Sequence, residues 1–369
     1  MKLIYISNSR IPTEKAYGVQ IVKMCEAFAK NGIDVTLLIP KRRSNTDKDL
    51  FSYYGVAPIF KIKKLPVIDL IGYKIPFAFM LAILTFAISA SVFLLFSNRK
   101  AVLYTRGEIP LFLVKFLPKH FSLFWETHIK PSNMKRYAGV IKRSSGLIVV
   151  TKYYKKELKD AYNIDENKIL YIADGVDIDK FNVKDEKSKV RKYLKLPQDK
   201  KIILYSGSNI EWKGLNTLYE ATNMLSDDYL VVLMGNHSRS ERSNILYTGH
   251  RPYTEMPMWM KASDAFILTG TKKNNISNFY TSPLKMFEYM SSGSPIVASD
   301  ILSFRDILNE KNSVLVAPDD PKEMADGIKI VCEDDELARR ISSNALSDVA
   351  KYSWINRAKN IEDFINNKL

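Results

Sequence analysis

Throughout the chain, short runs of branched and aromatic residues alternate with segments whose apolar residues recur at helical spacing. In the first half these runs are Leu3–Ile6, Val35–Ile39, Ala101–Tyr104, Phe121–Trp125, Leu147–Val150 and Ile169–Ile172. In the second they are Ile202–Tyr205, Tyr229–Met234, Ala265–Leu268, Pro295–Ala298 and Val314–Val316. Apolar runs without alternation mark strands buried on both faces, and helices between them supply the cover, so the pattern specifies parallel α/β sheets. At 369 residues the chain exceeds one ordinary core. Two Rossmann-like domains are expected, residues 1–183 and 184–351, with the charged, apolar-poor stretch Lys184–Lys200 carrying the linker. The last residues, 352–369, read as a helix with Ala358, Ile361, Phe364 and Ile365 on one face, expected to pack back on the first domain.

Charge is distributed unevenly. Residues 1–180 hold 29 Lys and Arg against 15 Asp and Glu, whereas 181–369 hold 26 against 25. Nearly all of the net +15 therefore lies in the first half, which points to an anionic partner there. The stretch Lys130–Lys159, including Lys152, Lys155 and Lys156, is the densest part. The segment Ile75–Phe96 carries no charge and is long enough to span a bilayer. The strands before and after it must share one sheet, however, so it is expected to be buried or to dip into a membrane rather than cross it. The two cysteines, Cys25 and Cys332, lie in separate halves and form no zinc or disulfide pattern. With no apolar leader at MKLIYISNS, a cytoplasmic protein peripheral to the inner face of the cell membrane is expected. Stacking aromatics are not interleaved with the basic residues, so no nucleic-acid partner is expected.

Three places carry phosphate-binding signals. Gly18, in Ala16-Tyr17-Gly18-Val19, stands where a strand and loop lead into a helix, and the three-glycine dinucleotide fingerprint is absent there. Gly207 and Ser208 follow a strand, and Lys213 opens the next helix, a position suited to neutralising a diphosphate at strand carboxyl ends. In Thr281–Met290, Ser282 is expected to cap a helix whose first residue is Pro283, with Leu284 and Lys285 in its first turn. Glu288 falls further along that helix, where a ribose diol donating two hydrogen bonds suits a buried carboxylate. The pair Asp177 and Asp179 alone does not make a metal cage.

The strings YSGSNIEWKGLNTLYEA, TSPLKMFEYMSSGSPIVASD and YSWINRAKNI resemble the donor domain of family 4 glycosyltransferases of the GT-B fold. AYGVQIVKMCEAFAKNGIDVTLL and IADGVDIDKF are similar to segments of that family's acceptor domain. The resemblance implies two parallel sheets facing across a cleft, closure that excludes water, and a retaining hexosyl transfer from a nucleotide sugar without metal or other cofactor. By it, Gly18 lies under the donor phosphates, Lys213 pairs with the diphosphate and Glu288 takes the ribose hydroxyls. The Ser282–Lys285 backbone cups the phosphates, and His128, after Trp125-Glu126-Thr127, faces the transferred sugar.

Two departures stand out. Many members carry Arg where this chain has Ser208, and an acidic residue where it has Tyr280. Loss of such a stabilising partner costs about 2.7–4 kcal/mol in comparable sites, so Lys285 is expected to supply the missing charge. The "SPLK.FEYM" wording is similar to a subset of the family. The expected partners are a UDP-sugar or GDP-mannose, a glycan or lipid-linked acceptor, and an anionic membrane surface. The alternative is a non-catalytic GT-B subunit that binds a sugar nucleotide or another glycosyltransferase.

Overall fold

The computed structural model describes residues 1–42, 49–71, 75–97, 100–107, 120–131, 133–237 and 242–369. The chain forms two compact units. The first comprises Met1–Val150, Tyr154–Ile172 and Trp354–Leu369, and the second Thr151–Tyr153 and Ala173–Ser353. Each unit is built on one parallel sheet, the two-domain α/β architecture that the family resemblance implies.

The first unit is built on seven strands: β1 (Lys2–Ile6), β2 (Asp34–Pro40), β3 (Lys61–Leu65), β4 (Val102–Arg106), β5 (Ser122–Thr127), β6 (Gly146–Val149) and β7 (Ile169–Tyr171). Their order is β3-β2-β1-β4-β5-β6-β7, and every pairing is parallel. Six were legible as apolar runs. The seventh, β3, reads Lys-Ile-Lys-Lys-Leu and lies at the sheet edge, where half of a strand faces water and lysines discourage further pairing.

The segment 75–96 forms the helix Ala78–Leu95 between β3 and β4. One face packs Phe86, Ala87, Ala90 and Leu94 against Ile4, Ile6, Leu38 and Leu103 of the sheet. Because β3 and β4 belong to one sheet, the helix starts and ends on the same side and does not span a bilayer. The C-terminal helix, Trp354–Asn366, packs on the helix Ala16–Lys30 of the first unit. Ala358, Ile361 and Ile365 are buried there, and the Phe364 ring meets that of Phe124 edge-on.

The second unit contains β8 (Lys201–Ser206), β9 (Tyr229–Met234), β10 (Ile245–Gly249), β11 (Ala265–Leu268), β12 (Ile296–Ser299) and β13 (Val314–Val316). They run in the order β10-β9-β8-β11-β12-β13, all parallel. The chain enters this unit at Ala173 rather than at residue 184. Val176 and Phe181, in the GVDIDKF turn, join its core together with Val190 and Leu196. The stretch Lys184–Lys200 is therefore no free linker. It contains the helix Lys187–Tyr193, whose Arg191 is buried, donates to the carbonyl of Ala262 at 2.8 Å and pairs with Asp264.

Candidate functional site

In the second unit, chemistry-bearing residues gather past the carboxyl ends of β8 and β9, where open α/β sheets bind ligands. The backbone turns at Gly207 with φ +144°, a conformation that L side chains rarely adopt. A Cβ there would lie 3.6 Å from the Lys213 Nζ, so glycine leaves the ammonium close to the main chain. Lys213 ends the short turn Glu211–Lys213 and donates to the Ser208 hydroxyl at 3.0 Å. Burial lowers its pKa.

Lys285 lies in the first turn of the helix Leu284–Ser292. Its stem reaches the surface, but its ammonium is shut off from solvent and has no hydrogen-bond partner among the described residues. The ammonium stands 3.7 Å from the ring centroid of Tyr205, a cation–π contact. Burial, and then the like charge of Lys213, push its pKa well below the ordinary lysine value. The same two ammonium groups bear on His237, whose pKa burial lowers. His237 carries no motif of its own, and sequence reasoning missed it. The available signal was a histidine just past a strand end, the position that also singled out His128.

Glu288 is buried one turn beyond Lys285. Burial raises its pKa to about 7, against the opposing effects of a hydrogen bond from Tyr253 and the charge of Lys285. Asp177 adds a further upward push, so the GVDIDKF turn lies beside Glu288 despite its distance in sequence.

Ser282 does not cap this helix. Pro283, extended at ψ 131°, takes the cap position, and the Ser282 hydroxyl instead accepts from the Asp174 N–H at 3.3 Å. Tyr280 is buried, with its ring edge-on to those of Tyr153 and Phe279. It fills space with an aromatic ring where many family members carry a charge.

In the first unit, His128 follows β5 and shares a 2.5 Å hydrogen bond with Glu126. Glu126 is fully buried and also accepts from Gln20 at 2.9 Å, from Arg357 at 2.8 Å and from the Tyr104 hydroxyl. Burial disfavours its charge, but Arg357, His128 and Arg106 outweigh that and hold the carboxyl well below the usual range. Arg357 comes from the C-terminal helix and is itself buried. Gly18 lies in the helix Ala16–Lys30, and a Cβ there would come within 2.3 Å of the Tyr54 hydroxyl. Internal packing alone therefore requires glycine at that position.

Two parallel sheets, the second with cationic groups past its strand ends, fit a GT-B glycosyltransferase architecture. The family comparisons agree. Residues 18–180 match the model for Glycosyltransferase Family 4, and residues 186–348 that for Glycosyl transferases group 1. Between them the two models span most of the chain, which belongs to the family 4-type GT-B glycosyltransferases. An uncharacterized glycosyltransferase of Methanocaldococcus jannaschii is 25% identical over 236 residues, covering 58% of this chain and 58% of that protein. The chain thus spans little more than half the length of the curated relatives it matches.

Among solved structures, sucrose-phosphate synthase from Thermosynechococcus elongatus superposes with a TM-score of 0.79 at 16% identity, covering 99% of this chain and 98% of that one. Anabaena HepE, solved in complex with UDP, gives a TM-score of 0.76 at 14% identity with full coverage of both. At such identities the likeness is one of fold.

Proposed function

We propose that the chain is a retaining, metal-independent hexosyltransferase that moves a sugar from a nucleoside diphosphate donor to an acceptor hydroxyl in surface-glycan synthesis. The observation that carries this reading is the sealed ammonium of Lys285. A buried, unpaired ammonium costs several kcal/mol, and a bound diphosphate would offset that cost. Lys213, whose charge bears on Lys285, and the Gly207 backbone lie close by. A UDP-sugar is the favoured donor, with GDP-mannose second; the Anabaena relative in fold was solved with UDP-glucose, which supports the first.

In the reaction, the bond between the sugar's anomeric carbon and the diphosphate oxygen breaks while the acceptor oxygen bonds to the same face of that carbon. Lys213 and Lys285 stabilise the charge growing on the departing diphosphate, which takes the acceptor proton. Lys285 thereby does the work that an arginine at position 208 does elsewhere in the family. Glu288 accepts from the ribose hydroxyls, and His128, held by Glu126, faces the sugar. The acceptor is a lipid-linked or polysaccharide glycan. Lys213→Ala and Glu288→Ala should each lower donor turnover at least tenfold while circular dichroism stays unchanged. Near-wild-type rates in both variants would end the donor-site assignment.

A further inference from the structure

The outer face of the helix Ala78–Leu95 exposes Met80, Leu84, Ile88, Val92 and Leu95, a stripe at helical spacing with no charge in it. Its polar neighbours are already satisfied: Thr85 accepts from the Ile68 N–H at 3.2 Å, and Ser89 donates to the Pro66 carbonyl at 2.8 Å. Phe77 and Phe96 close the two ends at 85% and 89% exposure. Phe77 is held outward at φ +63°, a left-handed conformation that is costly for a bulky side chain. Of the 23 large hydrophobic residues exposed among those described, ten fall between Ile68 and Phe96. Together they leave on the order of 1000 Å² of apolar surface, well above the roughly 300–600 Å² typical of the largest patch on a soluble monomer.

The border of this patch is basic. Lys63 is exposed on β3, on the sheet face against which the helix packs, and Lys100 is exposed just past the helix end. Asp69, on the strap that runs along the helix, is paired with Arg42 at 2.9 Å.

We infer that this face is a membrane dock. The helix lies in the plane of an anionic bilayer with its outer stripe among the acyl chains, and Lys63 and Lys100 meet the headgroups. A bilayer fits better than a second copy of the chain, because a symmetric pairing would set the basic border against a face whose acidic neighbour, Asp69, is already paired with Arg42. An interfacial helix joins apolar insertion to attraction by anionic lipid, and this face carries both parts. The basic helix Lys152–Tyr162 is a poorer candidate. Lys155 and Lys159 share Glu166, and Lys130 pairs with Glu157.

The dock also suits a lipid-borne acceptor. Phe79, Ala82 and Phe86, in the first half of the apolar helix, line a crevice with Asn8, Pro40 and Arg42, which follow or end β1 and β2. The membrane would therefore lie next to the strand carboxyl ends of the first sheet.

The test is flotation of the full chain with vesicles of phosphatidylcholine alone or with about a third phosphatidylglycerol. Wild type should float with the anionic vesicles. Leu84→Glu/Ile88→Glu/Val92→Glu, at exposed positions where near-UV circular dichroism reports an intact fold, should bind at least tenfold more weakly. Each lysine near an anionic surface contributes about fivefold, so Lys63→Glu/Lys100→Glu should lose at least tenfold at low salt. Lys152→Glu/Lys155→Glu/Lys156→Glu should lose less. Unchanged binding in the folded Glu variant would overturn the proposal. So would a concentration-dependent dimer of wild type, in sedimentation velocity, that this variant abolishes. The assay uses no nucleotide sugar, so its outcome is separate from that of the donor-site reading.

Discussion

Replacing Glu288 with Gln tests whether its carboxyl waits, partly protonated, for a ligand. Burial raises its folded pKa to about 7. The unfolded value lies near 4.3, so between these values the folded state binds more protons than the unfolded one, and stability falls as pH rises through that window. At 1.36 kcal/mol per pKa unit, the buried carboxylate costs the ligand-free protein about 4 kcal/mol in full once the pH is well above 7. Glutamine keeps the shape and cannot ionise. Urea unfolding of wild type and Glu288→Gln at pH 5 and pH 8 should show the variant gaining on wild type by about 3 kcal/mol across the interval, because other titrating groups cancel in the comparison. Nucleotide binding should show the converse. Only the ionised carboxylate accepts from both ribose hydroxyls, and its population rises about tenfold between pH 6 and pH 8. The ratio of wild-type to variant affinity for the nucleoside diphosphate should grow by the same factor. Stability curves that stay parallel with pH, together with a constant affinity ratio, would refute the argument.

Lys285→Met should raise the urea midpoint of the ligand-free protein, because it removes an unpaired buried charge, and should weaken nucleoside diphosphate binding at least tenfold by calorimetry. Arg357→Met leaves Glu126 without the cation of its buried ion pair, and should lower stability by about 3–5 kcal/mol in denaturant titration. Turnover should survive saturating EDTA, because lysines meet the phosphates; complete loss restored by Mn²⁺ or Mg²⁺ would reverse that view.

The sheets were legible because buried parallel strands must be continuously apolar. The two strands that escaped, β3 and β10, are both at sheet edges, where burial is one-sided and the constraint relaxes; β3 carries three lysines in five residues. The domain switch at Ala173 was not legible, because a turn such as GVDIDKF carries no mark of which core its Phe181 will join. In the candidate site, the positions of Lys213, Lys285 and Glu288 were readable from strand ends and helix starts. The sealing of the Lys285 ammonium was not, since it depends on Tyr205 from another element. The Glu126–Arg357 pair left a signal that went unread. Glu126 interrupts an apolar strand, and Arg357 lies on the stripe of the C-terminal helix that also holds Ala358 and Ile361. Two opposite charges on buried faces imply one another.

If this chain cleaves a nucleotide sugar with retention at the site built on Lys213, Lys285 and Glu288, the sugar first released keeps the donor's anomeric configuration. Proton NMR of wild type with UDP-glucose and GDP-mannose, in the absence of acceptor, follows diphosphate release and the anomer first formed by slow transfer to water. Nucleoside diphosphate should be released from one donor, with the α-anomer appearing before mutarotation and both signals lost in Lys213→Ala. The β-anomer appearing first, or equal release by Lys213→Ala, would contradict retention at this site.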